Sequence, residues 1–222
     1  MKAKPQARKV PVQQNAAQIR QDYENAVDTD LIKFIEDVHS TPDDMVNNLD
    51  FRVSKVSEKQ RTDIERLTGE PLNANSNFIK GDRIVHIEDR HGKNGKADQS
   101  MADPNDIARI GYVLENYDAV DFLRDEKTGK IVTNSNYTAK NGMPSPSLIY
   151  VKKVNGFYIV IEAVNDGKRK RLNIISAYKN RKNPLTAQKA RMPDGTSAPK
   201  QNVQNASATD INDTSKFKPE VN

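Results

Sequence analysis

Three β-prone runs follow one another late in the chain, at Leu148–Val154, Phe157–Val164 and Arg171–Tyr178. Asn155-Gly156 separates the first two, and Asp166-Gly167 precedes the third. Both pairs suit the two-residue turns that need positive φ, so strands flanking them run antiparallel. The runs therefore predict a three-stranded β-meander. Val120-Asp121-Phe122-Leu123 and Ile131-Val132 are candidates for one or two more strands.

The residues before the meander carry helical spacing instead. A short helix is expected around Asn15–Asn25. Asp28 or Thr29 can cap a second helix bearing Leu31, Ile32, Phe34, Ile35 and Val38 on a 3.6-residue period. Ser57 and Gln60 have the spacing of a capping box, and the helix they open carries Ile64 and Leu67 and stops at Gly69. Asp103 and Pro104 are N-cap and first-turn residues for a helix with Ile107, Ile110, Val113, Leu114 and Tyr117 along one stripe. The carboxylates of Asp103, Asp106 and Asp118 read as groups that cap or end this helix. Between these helices, Val85-His86-Ile87 reads as a short β-prone piece after a Gly81-Asp82 turn, and His91–Lys96 as a loop. Helices grouped ahead of an antiparallel sheet predict an α+β fold.

Only 35% of the 222 residues are hydrophobic and the mean hydropathy is −0.82, too polar for one core to use the whole chain. The expected organisation is a flexible basic N-terminal segment with a short helix (1–49), an α+β domain (50–182) and a disordered tail (183–222), the Leu31–Val38 helix either docking on the core or belonging to an upstream module. Cysteine is absent, which excludes disulfide scaffolds, thiolate metal sites and Cys nucleophiles. The first residues hold no apolar stretch of the secretory kind, and no apolar run is long enough to span a bilayer. A cytoplasmic location without membrane contact is expected. The net charge of +5 is unevenly placed: Lys168, Arg169, Lys170, Arg171, Lys179, Arg181 and Lys182 fall in one stretch without an acidic residue. Such a patch attracts polyanions.

The stretch richest in chemistry is His86-Ile87-Glu88-Asp89-Arg90-His91-Gly92. Histidine gives and takes protons near neutral pH, and the planar guanidinium of arginine suits a phosphate. These are the parts needed to cut RNA by internal attack: a base for the 2′-OH, an acid for the leaving 5′-oxygen and a cation for the transition-state charge. In an extended segment His86 and Glu88 would share one face and Ile87 the other. Alternation likewise puts Ser176 and Tyr178 on one face of the last strand, where hydroxyls and a ring can meet phosphate or base. Lys153 is a weaker candidate for a phosphate contact. A charged turn with one packed histidine fits the same residues.

The string His86–Gly95, then Asp98–Asp103, Asp106–Ile110, Asn116-Tyr117-Asp118, Tyr150–Gly156 and Ser176-Ala177-Tyr178 resembles the phage-borne Barnase–EndoU–colicin–RelE-like nucleases. The resemblance covers roughly residues 50–180. It implies N-terminal helices packed on an antiparallel sheet and a metal-independent, toxin-like endoribonuclease that leaves a 2′,3′-cyclic phosphate. It implies His86 and His91 as the acid/base pair, Arg90 on the phosphate, and Ser176 and Tyr178 as the substrate-binding face, with no cofactor. RNA is the expected partner, with an immunity protein and phage or mobile-element proteins as further ones, and with delivery by a phage particle as one route. A non-catalytic RNA-binding module and a phage-particle accessory are the alternatives on the same fold.

Overall fold

The computed structural model describes residues 15–139, 141–165 and 169–190. Helices α1 (Ala16–Asn25) and α2 (Thr29–Ser40) lead into strand β1 (Asp50–Lys55), helix α3 (Glu58–Thr68), strand β2 (Ser76–Lys80) and helix α4 (Gly81–His91). Helices α5 (Asn105–Ala108) and α6 (Ile110–Asn116) follow. Then come β3 (Ala119–Phe122), β4 (Thr133–Thr138), β5 (Pro144–Val154), β6 (Gly156–Asn165), β7 (Arg171–Asn180) and helix α7 (Pro184–Ala190). The fold is α+β. No described helix is long and apolar enough to cross a membrane.

The strands form one sheet in the order β1-β2-β7-β6-β5-β3, with β4 paired to β5 off this path. The meander β5-β6-β7 forms as the alternation predicts, while β2 joins β7 in parallel through Asn77–Leu172 and Phe78–Asn173. One face packs Leu148, Tyr150, Tyr158, Val160, Leu172 and Ile174 against the helices. The opposite face packs Ile149, Val151 and Ile159 against Leu123, Val132 and Leu185. Tyr137 of β4 lies over Ala163 and Ile175 on this second face.

Local signals place most helix ends. The Asp28 side chain accepts from the N–H groups of Asp30 and Leu31, and Ser57 accepts from that of Gln60. Gly69 ends α3 at φ +75°, a conformation that favours glycine.

Four expectations differ from the structure. First, residues before 50 are part of the core: Tyr23, Leu31, Phe34, Ile35 and Val38 are buried, and the Asp28 N–H donates to the Ala108 carbonyl. Second, Pro184 starts α7, and buried Leu185 docks it, so packing continues past residue 183. Residues 1–14, 191–222 and the Asp166-Gly167 turn lie outside the described residues. Third, the helix after Pro104 is two helices, broken at Arg109 (φ −95°, ψ 2°). Fourth, His86 lies on a helix and not in an extended segment. Ile84 and Ile87, three residues apart, are both fully buried, whereas Val85 between them is 40% exposed. Burial at helical spacing outweighs the β-propensity of this short piece.

Two buried polar centres tie the layers together. Asp106 of α5, read from sequence as a capping group, is 2% exposed and accepts from Tyr23 Oη (2.9 Å), Arg109 Nη1 (3.2 Å) and Lys179 Nζ (2.7 Å). Its carbonyl accepts from Tyr158 Oη at 2.6 Å. Asp118 likewise reaches across to β5, accepting from Lys152 Nζ and the Lys153 N–H, while Asp103 does cap, accepting from the Asn105 N–H. On the other side of the core, Gln60 donates to Asn77, Tyr150 and Glu162. Burial pushes the Glu162 carboxyl up to about 8, against the hydrogen bonds from Tyr150 and Gln60 that act to lower it.

Asp106→Ala leaves Lys179 and part of Arg109 unpaired at the layer junction, a defect of the kind that costs about 3–5 kcal/mol. Urea denaturation should show a matching loss, and an unchanged midpoint would contradict this reading of the cluster. Glu162 makes stability depend on pH. The folded chain keeps the proton up to about pH 8, whereas the ordinary carboxyl loses it near 4.5. Its contribution is therefore complete below 4.5 and declines as pH rises through 8, by about 1.4 kcal/mol per pH unit between these limits. Glu162→Gln should flatten this decline in denaturation curves, and parallel curves for the two proteins would refute the assignment.

Candidate functional site

Beyond Lys80 the chain leaves β2 and enters α4, which packs against β7. The helix buries Ile84 and Ile87 toward the core. Arg83, His86 and Arg90, at spacings of three and four, form a polar stripe on another side. All three are partly buried. Burial is the main force pushing the His86 imidazole down to about 4, with help from the charges of Arg83, His91 and Arg90 and some opposition from Asp82. At neutral pH His86 is therefore uncharged.

His91 is the last residue of α4. The loop after it folds back onto the open carbonyls of the helix end: Lys96 N–H donates to Asp89, Ala97 and Asp98 N–H to Arg90, and Met101 N–H to His91. This fold-back needs Gly95, where a Cβ would stand 2.2 Å from the Asp98 carbonyl oxygen and 2.6 Å from that of Arg90. It brings Asp98 Oδ2 to 2.9 Å from His91 Nδ1. Burial acts to raise the Asp98 carboxyl, but hydrogen bonds from His91 and Ser100 outweigh it and hold the group below the ordinary carboxylate range. An ionised carboxylate only accepts, so Nδ1 carries the hydrogen and Nε2 is the nitrogen left for proton transfer.

The His91 ring stacks on Tyr178 of β7, with centroids 5.1 Å apart and planes 24° from parallel. Burial pushes the Tyr178 phenol up, so it stays protonated. Ser100 Oγ accepts from the Lys179 N–H and anchors the loop to the same strand.

The sequence-selected residues are thus partly gathered. His86, Arg90 and His91 share α4, and His91 meets Tyr178. Ser176 pairs with Ile161 and Tyr178 with Ile159, so both point to the second sheet face, but Ser176 is only 5% exposed. Lys153 lies apart, exposed beside the β5–β6 turn and paired with Phe157. In the basic stretch, Lys168 is outside the described residues, Arg169 is 3.8 Å from Asp50, and Arg171 donates to both Asp50 oxygens at 2.9 and 3.2 Å. The sequence reading missed Asp98 and Ser100 as site residues. They lay within the Asp98–Asp103 part of the family resemblance but were given no role, and their local signal was a polar loop with two glycines following a histidine. Among the described residues no group of three or more His, Asp or Glu side chains could hold a metal ion.

A helix carrying histidines and arginines against the last strands of an α+β sheet, with a carboxylate-held imidazole at its end, is an arrangement suited to phosphodiester chemistry. Residues 54–186 match the model of the family described as phage-Barnase-EndoU-ColicinE5/D-RelE like nuclease3, and since this is more than half of the sequence, the chain belongs to that family. No curated protein and no solved structure matches the chain.

In a proton NMR titration the His86 ring is expected to show a midpoint near 4, against 6.5 for an unperturbed ring. A His86 midpoint at the unperturbed value would show that the ring is not buried beside Arg83 and Arg90.

Proposed function

We propose that the chain is a metal-independent endoribonuclease of the toxin type, cutting RNA by internal attack of the 2′-oxygen. The observation that carries this reading is the His91–Asp98 pair stacked on Tyr178 beside the Arg83-His86-Arg90 stripe. Neutral His86 is suited to take the 2′-OH proton as the O2′–P bond forms. His91, in its doubly protonated form with the Nδ1 hydrogen held by Asp98, is suited to give its Nε2 proton to the 5′-oxygen as the P–O5′ bond breaks and to regain one from solvent afterwards. Arg90, with the Asp82-paired Arg83 about two turns away, supplies charge for the transition state. Tyr178 fixes the plane of His91, and its ring is the natural platform for a base next to the cut. Ser176 supports this from within the strand, and Lys153 would meet only an RNA that continues across the sheet.

The products of this route are a 2′,3′-cyclic phosphate and a free 5′-hydroxyl, with no cofactor consumed. A nuclease of this type acts in the cytoplasm of the cell it attacks, and a dedicated immunity protein or carriage by a phage particle would control it.

Purified full-length protein should cleave total RNA in EDTA. His86→Ala and His91→Ala should each slow cleavage by about 10²–10⁴-fold, the usual range for one proton-transfer group. Intact RNA at high enzyme, or RNA that is bound without product, would defeat the catalytic reading. The second outcome would point to the RNA-binding module.

A further inference from the structure

A row of directly paired residues carrying Ser147, Asn173 and Arg52 crosses the second sheet face at the end away from His91. Ser147 of β5 pairs with Ala163 of β6, Ala163 with Asn173 of β7, Asn173 with Phe78 of β2, and Phe78 with Arg52 of β1. Directly paired residues share a face. The neighbours Leu148, Val164, Leu172 and Ile79 belong to the helix-covered core, which fixes this row on the opposite side. Ser147 and Asn173 are 0% and 1% exposed, yet Ser147 Oγ and both Asn173 amide atoms have no hydrogen-bond partner among the described residues. Three such atoms in one row are costly, at about 1–3 kcal/mol each, and call for a function.

Their surroundings indicate which function. Small Ala163 separates the two polar side chains, and Tyr137 lies over it. The β4–β5 register is interrupted between Asn134 and Thr138, so Tyr137 sits in a stretch not laddered to β5. On the other side, Phe78 is half-buried with the Arg171 guanidinium 4.7 Å from its ring centre, and Arg52 is exposed. An amide offers a donor and an acceptor side by side, as a base edge requires. Aromatic rings beside it can stack a base, and an exposed guanidinium can hold the adjoining phosphate.

We propose that this row is a nucleobase-reading subsite: one RNA base stacks against Tyr137 and Phe78 and hydrogen-bonds Asn173 and Ser147, while Arg52 holds its phosphate. The Tyr137 ring moves off Ala163 to admit the base. The proposal rests on the nuclease reading for its substrate class and adds a source of sequence preference. Asn173 and Tyr178 pair with Ala163 and Ile159, four residues apart on β6 across a bulge in β7, roughly 13 Å along a strand, so the base read here is not the one at the cut. An amide pairs bidentately with N6 and N7 of adenine, which makes adenine the expected base.

The test measures binding of the full-length protein to four 2′-O-methyl hexamers of A, C, G and U by fluorescence anisotropy. These cannot be cut through the 2′-oxygen. The A hexamer should bind about tenfold or more tighter than the U hexamer, in line with one good bidentate pair. Asn173→Asp and Asn173→Ala should bring the two within about twofold of each other, well below what such a pair provides. Tyr137→Leu keeps the apolar cover and leaves Asn173 in place, so it guards against a variant that fails to fold. It should weaken all four hexamers alike. An A:U ratio unchanged by the Asn173 variants, or binding unaffected by Tyr137→Leu, would overturn the proposal and leave Asn173 holding a structural water only. Absence of binding to every hexamer would overturn it too. The two readings separate cleanly: Asn173-dependent preference without cleavage of ordinary RNA upholds the subsite against the nuclease, and cleavage with Asn173-independent preference does the reverse.

Discussion

The arrangement hangs on the buried carboxylate of Asp106. It joins Tyr23 of α1, Arg109 at the start of α6 and Lys179 of β7, while its own carbonyl holds Tyr158 of β6. Such a cluster adds little net stability over an apolar core, but removing one member is severe. What it contributes is position. Lys179 is the residue after Tyr178, and its N–H donates to Ser100, so one strand position fixes both the stacking partner of His91 and the loop that carries Asp98. The site geometry is therefore set by a charge pairing that lies outside it.

Helix α4 turns that fixed frame into a site. Its buried isoleucines lock it beside β7, and the His39–Glu88 contact at 2.8 Å ties it to α2 on the outer side. With the helix pinned on two sides, the Arg83-His86-Arg90 stripe cannot rotate away from the sheet. The low-dielectric setting that keeps His86 neutral comes from the same packing. Chemistry and stability here draw on one contact surface.

How much of this was legible in the sequence follows from the range of the interactions. The β5-β6-β7 meander, the Asp28 and Ser57 caps and the Gly69 stop are written in residues at most a few positions apart, and they could be read directly. Strands β1 and β2 carry few apolar residues and owe their place to pairing partners far along the chain. Asp106 looked like a capping residue because its partners Tyr23 and Lys179 lie 83 and 73 positions away. Asp98 was hidden for another reason: its role depends on a loop that reverses onto the end of α4, and that reversal shows only as Gly95. His86 was placed on the wrong element because three β-prone letters outweighed the Ile84–Ile87 spacing in a short window.

The second sheet face also limits the path a long polyanion can take. Leu123, Val132 and Leu185 cover Ile149, Val151 and Ile159, so the β3–β5 side is closed by apolar packing. The strip along β7, between α4 and Tyr137, is buried as well, with Asn173, Ile175 and Ser176 at most 5% exposed, so a polyanion could enter it only where Tyr137 moves aside. Arg171, neutralised by Asp50, shapes that strip more than it charges it. On the proposed nuclease reading, a strand of RNA admitted here would run from the Asn173 row toward His91. Arginine and histidine recur along the helix about every turn, roughly 5 Å of rise, on the side that such a strand would follow. On that reading the polar stripe and the apolar cover would be two halves of one constraint: the first would attract the backbone, and the second would exclude it from the rest of the sheet.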